Sequence, residues 1–267
     1  MLGAIIGDVA GSRYEFSSPK TKDFIFFNDR CFPTDDSVMT VAVGLACVSA
    51  ELTDEKHFKQ ELCKYMRQLG RLWPDAGYGS MFYRWIFDDT MGPYNSFGNG
   101  SAMRVSPVAW AAKTLEEAER LAAWSAEVTH NHPEGVRGAQ AVAAAIFMAR
   151  MGKSKAEIKA YIESRYYTLD FTLDEIRPTY EFNVTCQGSV PQALVCFLEA
   201  TSYEDAVRNA VSLGGDGDTQ AAIAGSVAEP FFGIPAELQM QVFPLMGEEL
   251  TDYFMTYAED LYRNGRA

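Results

Sequence analysis

Apolar residues in this chain recur at three- and four-residue spacings along most of its length, and the two-residue alternation of a half-buried strand is scarce. Side chains three and four apart share one face of a helix, so the pattern dictates helices that pack through apolar stripes. "FKQELCKYMRQLGRLW" places Phe58, Leu62, Tyr65, Met66 and Leu69 on one side. "DDSVMTVAVGLACVSAEL", "LEEAERLAAWSAEVTH", "GVRGAQAVAAAIFMARMG", "VPQALVCFLEA", "SYEDAVRNAVSLG" and "DTQAAIAGSVAEPFFG" read as helices too. "SKAEIKAYIESRY" opens with Ser154 and Glu157 at capping-box spacing. Gly3, Gly7 and Gly11 stand four apart in "GAIIGDVAGSRYE", which bares one flank of a helix to close backbone approach. Only "FIFFN" at 24–28 has β character, with a loop as the alternative, and Pro244 should break or kink the closing segment "PAELQMQVFPLMGEELTDYFMTYAEDLYRNG". The expected fold is all-α, a compact multi-helix single domain over 1–267. No Ser/Gly-rich linker, charge block or repeat divides the chain.

At 267 residues and 48% hydrophobic, the chain can bury one substantial core. Its net charge of −13 repels phosphates, which argues against nucleic acid and anionic membranes as partners. The same charge suits an acidic pocket neutralised by a divalent cation, although acidity also simply keeps a protein in solution. The cysteines, at 31, 47, 63, 186 and 196, are odd in number and lack C-x-x-C spacing, so they read as reduced thiols of a cytoplasmic protein. "MLGAIIGDVAGS" has no basic stretch and meets an acid at position 8, unlike a signal peptide. The apolar run "VMTVAVGLACVSA" is shorter than the roughly 20 residues a membrane span needs. A monomer is the default expectation.

Chemistry concentrates where helices begin. Thr34, Asp35 and Asp36 precede one helix, and Asp216, Asp218 and Thr219 precede another, after Gly214 and Gly215. A single Asp or Thr at such a place is an ordinary N-cap, favoured by the helix dipole. A cap needs one acceptor, however, and like charges brought together are costly unless a cation intervenes. Four carboxylates and two hydroxyls form an all-oxygen ligand set, which selects Mg²⁺, Mn²⁺ or Ca²⁺ over zinc. "NSFGNGSAMR" offers glycine-rich backbone N–H groups leading into a helix, a pattern that cradles phosphates when it is not an ordinary turn. His130 and His132 in "THNHPEG" lack the further soft ligands of a zinc site and read first as hydrogen-bonded structural histidines.

Five segments in order give the chain a specific likeness: "GAIIGDVAGSRYEF", "TDDSVMT" at 34–40, "GNGSAMRVSP" at 98–107, "THNHPEG" at 129–135 and "GGDGDTQAAIAGSVAEPFFG" at 214–233. Together they resemble the ADP-ribosylglycohydrolase family, which includes the dinitrogenase-reductase-activating glycohydrolases. The resemblance implies two divalent cations, Mg²⁺ or Mn²⁺, held by Thr34, Asp35, Asp36, Asp216, Asp218 and Thr219. It implies a catalytic role for Glu15, on a mobile loop over the metals, and for Asp36 as a metal-bound acid. It places the diphosphate at Ser96, Phe97, Gly98, Asn99, Gly100, Ser101 and Met103, with Phe97 near the adenosine. Asp75, Gly77, Tyr78 and Gly79 in "PDAGYGSMFYRW" correspond more loosely to a second substrate loop, where the acid touches the distal ribose. His130 becomes a substrate contact, and His132 stays structural. The implied reaction removes ADP-ribose from a modified protein or a small conjugate by cleavage at the anomeric carbon. Alternatives are a silent ADP-ribose binder on the same fold, as in crystallin relatives, and a metal-dependent nucleotide phosphohydrolase.

Overall fold

The computed structural model describes residues 1–264. The described chain is helical throughout. Helix α1 spans Leu2–Gly11, followed by a 3-10 turn at Ser12–Tyr14, and α2 spans Asp35–Ser49. Helices α3 (Glu55–Leu72), α4 (Ser80–Phe87), α5 (Gly100–Met103) and α6 (Ser106–Ala111) come next. Then follow α7 (Leu115–Glu127), α8 (Pro133–Arg150), α9 (Lys155–Arg165) and α10 (Leu173–Ile176). Helices α11 (Cys186–Glu199), α12 (Tyr203–Leu213), α13 (Gly217–Phe232), α14 (Ala236–Met246) and α15 (Glu248–Asn264) complete the chain.

Helices α1, α8 and α13 form the centre, and their sequences show why. All ten residues of α1 are buried, as are Gly217–Glu229 of α13 and the run Ala141–Ala149 of α8. A helix enclosed on all sides shows no polar face, so these segments are apolar or small-residue-rich all round. The expected close approach along Gly3, Gly7 and Gly11 is made with α13. A Cβ at Gly3 would lie 2.5 Å from the Gly225 carbonyl oxygen, one at Gly7 would overlap the Ala221 carbonyl, and one at Gly11 would lie 2.5 Å from the Asp218 Cα. The outer helix α3 is amphipathic and buries one stripe, Phe58, Leu62, Met66 and Leu69. Ser154 and Glu157 close the capping box of α9.

One expectation is corrected, and of the two readings of "FIFFN" the loop holds. Phe24 and Phe26 stack with centroids 6.5 Å apart under the Arg208 guanidinium, and no neighbouring segment offers a ladder. The only β-type pairing among the described residues is one bridge, Gly98 with Thr185. The closing segment does not break at Pro244. Helix α14 runs through it to Met246 and ends at Gly247, whose φ of +77° suits glycine. Pro244 lies in the last turn, and the Met240 carbonyl that loses its donor there belongs to an exposed residue that water can reach. The five cysteines are free, and only Cys63 is more than marginally exposed. No helix among the described residues is long and apolar enough to cross a membrane.

Candidate metal centre

The first turn of α2 and the first turn of α13 face each other beside the C-terminal end of α1. Thr34 caps α2 by accepting a hydrogen bond from the Asp36 N–H at 3.3 Å. Its hydroxyl donates to Asp8 at 2.7 Å. Asp36 accepts from the Thr219 hydroxyl at 3.1 Å through Oδ2, which ties the two acid-bearing turns together directly. Asp216 accepts from the Asn99 amide at 2.7 Å, and Asn99 is itself steadied by Ser189 at 3.1 Å. Asp218 and Thr219 form the first turn of α13.

Two triads of carboxylates result. Oxygens of Asp8, Asp36 and Asp218 lie within 4.8 Å of one another, and so do those of Glu15, Asp216 and Asp218. Asp218 belongs to both, so the triads are adjacent. Asp35 is in neither. Its N–H donates to the Ala76 carbonyl at 2.8 Å, and its carboxylate stands in the cleft wall near Gly77.

These acids carry no compensating cation. Among the described residues no Lys or Arg forms an ion pair with Asp8, Glu15, Asp35, Asp36, Asp216 or Asp218. Burial therefore raises every one of them. Asp8 is pushed up to about 6 by burial, against the pull of hydrogen bonds from Ser37 and Thr34. Glu15 is pushed up to about 7 by burial and by the charges of Asp216 and Asp8. Asp35, Asp36 and Asp218 are held well above the usual carboxylate range by burial and by their acidic neighbours, and burial raises Asp216 as well. Asp36 Oδ1 is buried without any hydrogen-bond partner. An orphaned buried carboxylate oxygen, aimed into a cluster of uncompensated acids with hydroxyls beside it, fits a hard divalent cation.

A cleft of about 630 Å³ opens over the acids. Most residues singled out in the sequence line it: Glu15, Thr34, Asp35, Asp36, Asp75, Gly77, Gly79, Ser96, Gly98, Asn99, Gly100, Met103, His130, Asp216, Asp218 and Thr219. Three side chains expected at the substrate turn elsewhere. Tyr78 packs its ring on Phe82, with centroids 5.6 Å apart. Phe97 lies against His132 at 5.2 Å, outside the cleft lining. The Ser101 hydroxyl points inward and donates to the Gly135 carbonyl at 2.7 Å. His132 caps α8 by accepting from the Glu134 N–H.

His130 is buried, and desolvation together with the nearby Arg104 charge depresses its pKa well below the usual value, so the imidazole is neutral. Arg104 donates to the Thr129 hydroxyl at 2.9 Å, and that oxygen lies 2.7 Å from His130 Nδ1. That contact holds the ring with Nε2 facing the Gly98–Gly100 turn.

Asp8 and Arg104 were not among the residues singled out for the site. Asp8 accepts from the Thr34 N–H at 2.9 Å, the Ser37 N–H at 3.0 Å and both hydroxyls, so it fixes the whole first turn of α2. A lone acid within an otherwise apolar "GAIIGDVAG" was the available signal.

A family model described as ADP-ribosylglycohydrolase matches residues 1–266. The chain belongs to the ADP-ribosylglycohydrolase family. Human ADP-ribosylhydrolase ARH3 is 24% identical over 339 residues, covering 98% of this chain and 92% of the relative. ADP-ribosylarginine hydrolase Tri1 of Pseudomonas putida is 26% identical over 262 residues, covering 88% and 70% respectively. A solved structure titled "ADP-ribosylglycohydrolase-related protein complex" superposes with a TM-score of 0.71 at 21% identity, over 99% of this chain and 95% of that one. The all-α architecture is thus the ADP-ribosylglycohydrolase fold.

Proposed function

We propose that the chain is a divalent-cation-dependent hydrolase that frees ADP-ribose from a modified acceptor at the anomeric carbon of the distal ribose. The observation that carries this reading is the pair of carboxylate triads, buried except for half-buried Glu15, uncompensated and sharing Asp218 beneath one cleft. Asp36, Asp216, Asp218 and Thr219, with Thr34 and Asp35 beside them, would hold the cations, Mg²⁺ or Mn²⁺. When bound, such cations acidify a water and offer charge to the ribose hydroxyls.

The chain's own groups divide the remaining work. Asn99 and the Thr219 hydroxyl orient Asp216 and Asp36. Glu15 stands half-buried at the cleft mouth with its pKa raised to about 7, so it can hold a proton or release one near neutrality. It would pass that proton to the leaving group or accept it from the attacking water. The Gly100 N–H at the start of α5 would donate to a diphosphate, with the His130 ring beside it as a further contact, and Asp75 at the rim can accept from a ribose hydroxyl. The buried carboxylates would also stabilise the oxocarbenium-like transition state common to glycosidic cleavage.

Serine- and arginine-linked ADP-ribosyl peptides, incubated with and without chelator, test the reading. Metal-dependent release of intact ADP-ribose is expected. Turnover that survives complete chelation would overturn it, and AMP plus ribose phosphate as products would indicate phosphohydrolysis. Asp218→Ala should abolish turnover and leave the helical circular-dichroism spectrum unchanged.

A further inference from the structure

The segment between Glu15 and Thr34 is fastened at one conspicuous point. Lys20 adopts a left-handed backbone with φ +53°, unusual for a residue with a side chain. Its ammonium donates to three main-chain carbonyls, Tyr180 at 2.7 Å, Leu213 at 2.8 Å and Arg177 at 3.1 Å. All three N–H donors of the ammonium are thereby used on backbone. One acceptor, Leu213, is the last residue of α12, where a cation is favoured by the helix dipole. The fastening is built on both sides. Ser18 accepts from the Lys20 N–H and donates to the Val211 carbonyl. Gly214 has φ +83°, and a Cβ there would lie 2.8 Å from the Lys20 Nζ. Further along, Lys22 pairs with Asp205 at 2.7 Å, and Arg208 donates to the Lys22 and Phe24 carbonyls.

Each segment that Lys20 joins ends in the cleft. Residues 15 and 16 bring Glu15 and Phe16, residues 182–184 bring Phe182 and Val184, and residues 216–219 bring Asp216, Asp218 and Thr219. Phe16 and Phe182, from two of these segments, meet at 5.8 Å between centroids across the mouth. We propose that Lys20 is a positioning residue whose ammonium clamps these three segments together and so sets Glu15 in register with the Asp216 turn. The clamp rests on the reading of Glu15 as the proton-carrying acid. A left-handed non-glycine residue persists where its surroundings over-determine it, and here the surroundings are the three segments that build the site.

Lys20→Gly removes the ammonium at a backbone conformation glycine accepts, so the variant should fold. Steady-state kinetics on a peptide the wild type hydrolyses, with Mg²⁺ present, should show kcat lowered by about 10- to 100-fold and KM within about twofold. Ammonium chloride should reverse part of the loss, and sodium chloride at equal ionic strength should not. Hydrogen exchange should rise together in residues 16–26, 177–184 and 213–219, with α7 and α8 unchanged. An unchanged kcat, a loss that ammonium leaves untouched, or exchange that rises around residue 20 alone would each overturn the proposal. If the wild type hydrolyses neither peptide, the hydrolase reading fails, and the clamp stands or falls on the exchange pattern.

Discussion

Asp8 shows how one side chain can govern a site that it does not face openly. Four donors from Thr34 and Ser37 converge on its carboxylate, so its charge sets the first turn of α2 from behind. Asp8→Asn keeps the volume and loses half of the acceptors. As a group that orients ligands, it should weaken Mn²⁺ binding by about 10–100-fold, measured by titration calorimetry. The acids also fix a pH dependence. The folded, metal-free protein holds protons on Asp8 up to about pH 6 and on Glu15 up to about pH 7, whereas ordinary carboxyls release theirs near 3.8 and 4.5. A raised carboxyl pKa favours folding fully at low pH, and that contribution is lost as pH rises through the folded value. Divalent cation binding displaces the same protons. The melting-temperature gap between Mg²⁺-loaded and chelated protein should therefore widen from pH 5 to pH 8. A gap constant over that range would contradict the uncompensated cluster.

Among the elements, α1 and α13 define the geometry, because the acids of the second cluster ride on the helix that α1 grips. Gly7→Ala would push a methyl into the Ala221 carbonyl, with no flexible side chain to yield. A cost of about 2–3 kcal/mol in denaturant unfolding is expected, as for overpacking in a tight core. Gly92→Ala, where nothing lies within 4 Å and φ is not left-handed, should change stability by less than about 0.5 kcal/mol. The helices were legible because their apolar stripes obey a local period, and so was the glycine flank of α1. The end of α14 was not, since Pro244 and Gly247 both signal a stop and only backbone geometry decides which acts. The acid pairs at Asp35–Asp36 and Asp216–Asp218 stand out in the sequence as excess acceptors. Asp8 shows only as a lone acid in an apolar helix, and its partners Thr34 and Ser37 are brought to it by folding. Phe97 shows the converse: its position in the glycine-rich segment marks a loop at the cleft, but ring direction depends on His132 across the turn.

For the whole molecule, the two acidic turns are contributed by opposite ends of the chain, and a cation bound between them would act on the global folding equilibrium. Binding to the folded state alone stabilises by about 2.7 kcal/mol when the free ligand is 100-fold above its Kd. Saturating Mg²⁺ or Mn²⁺ should raise the unfolding midpoint accordingly in differential scanning fluorimetry, and Asp36→Asn should erase the rise. The remaining negative charge on the surface should make encounter with a polyanion slower at low salt than at high salt.

The grip of α1 on α13 also bears on how the protein is made. Residues 2–11 are made well before the α13 surface that shelters their glycine flank, which lies more than 200 positions downstream. Until α13 has been made, the glycine flank of an apolar ten-residue helix lacks its native partner, a situation that invites chaperone capture and delays completion of the core.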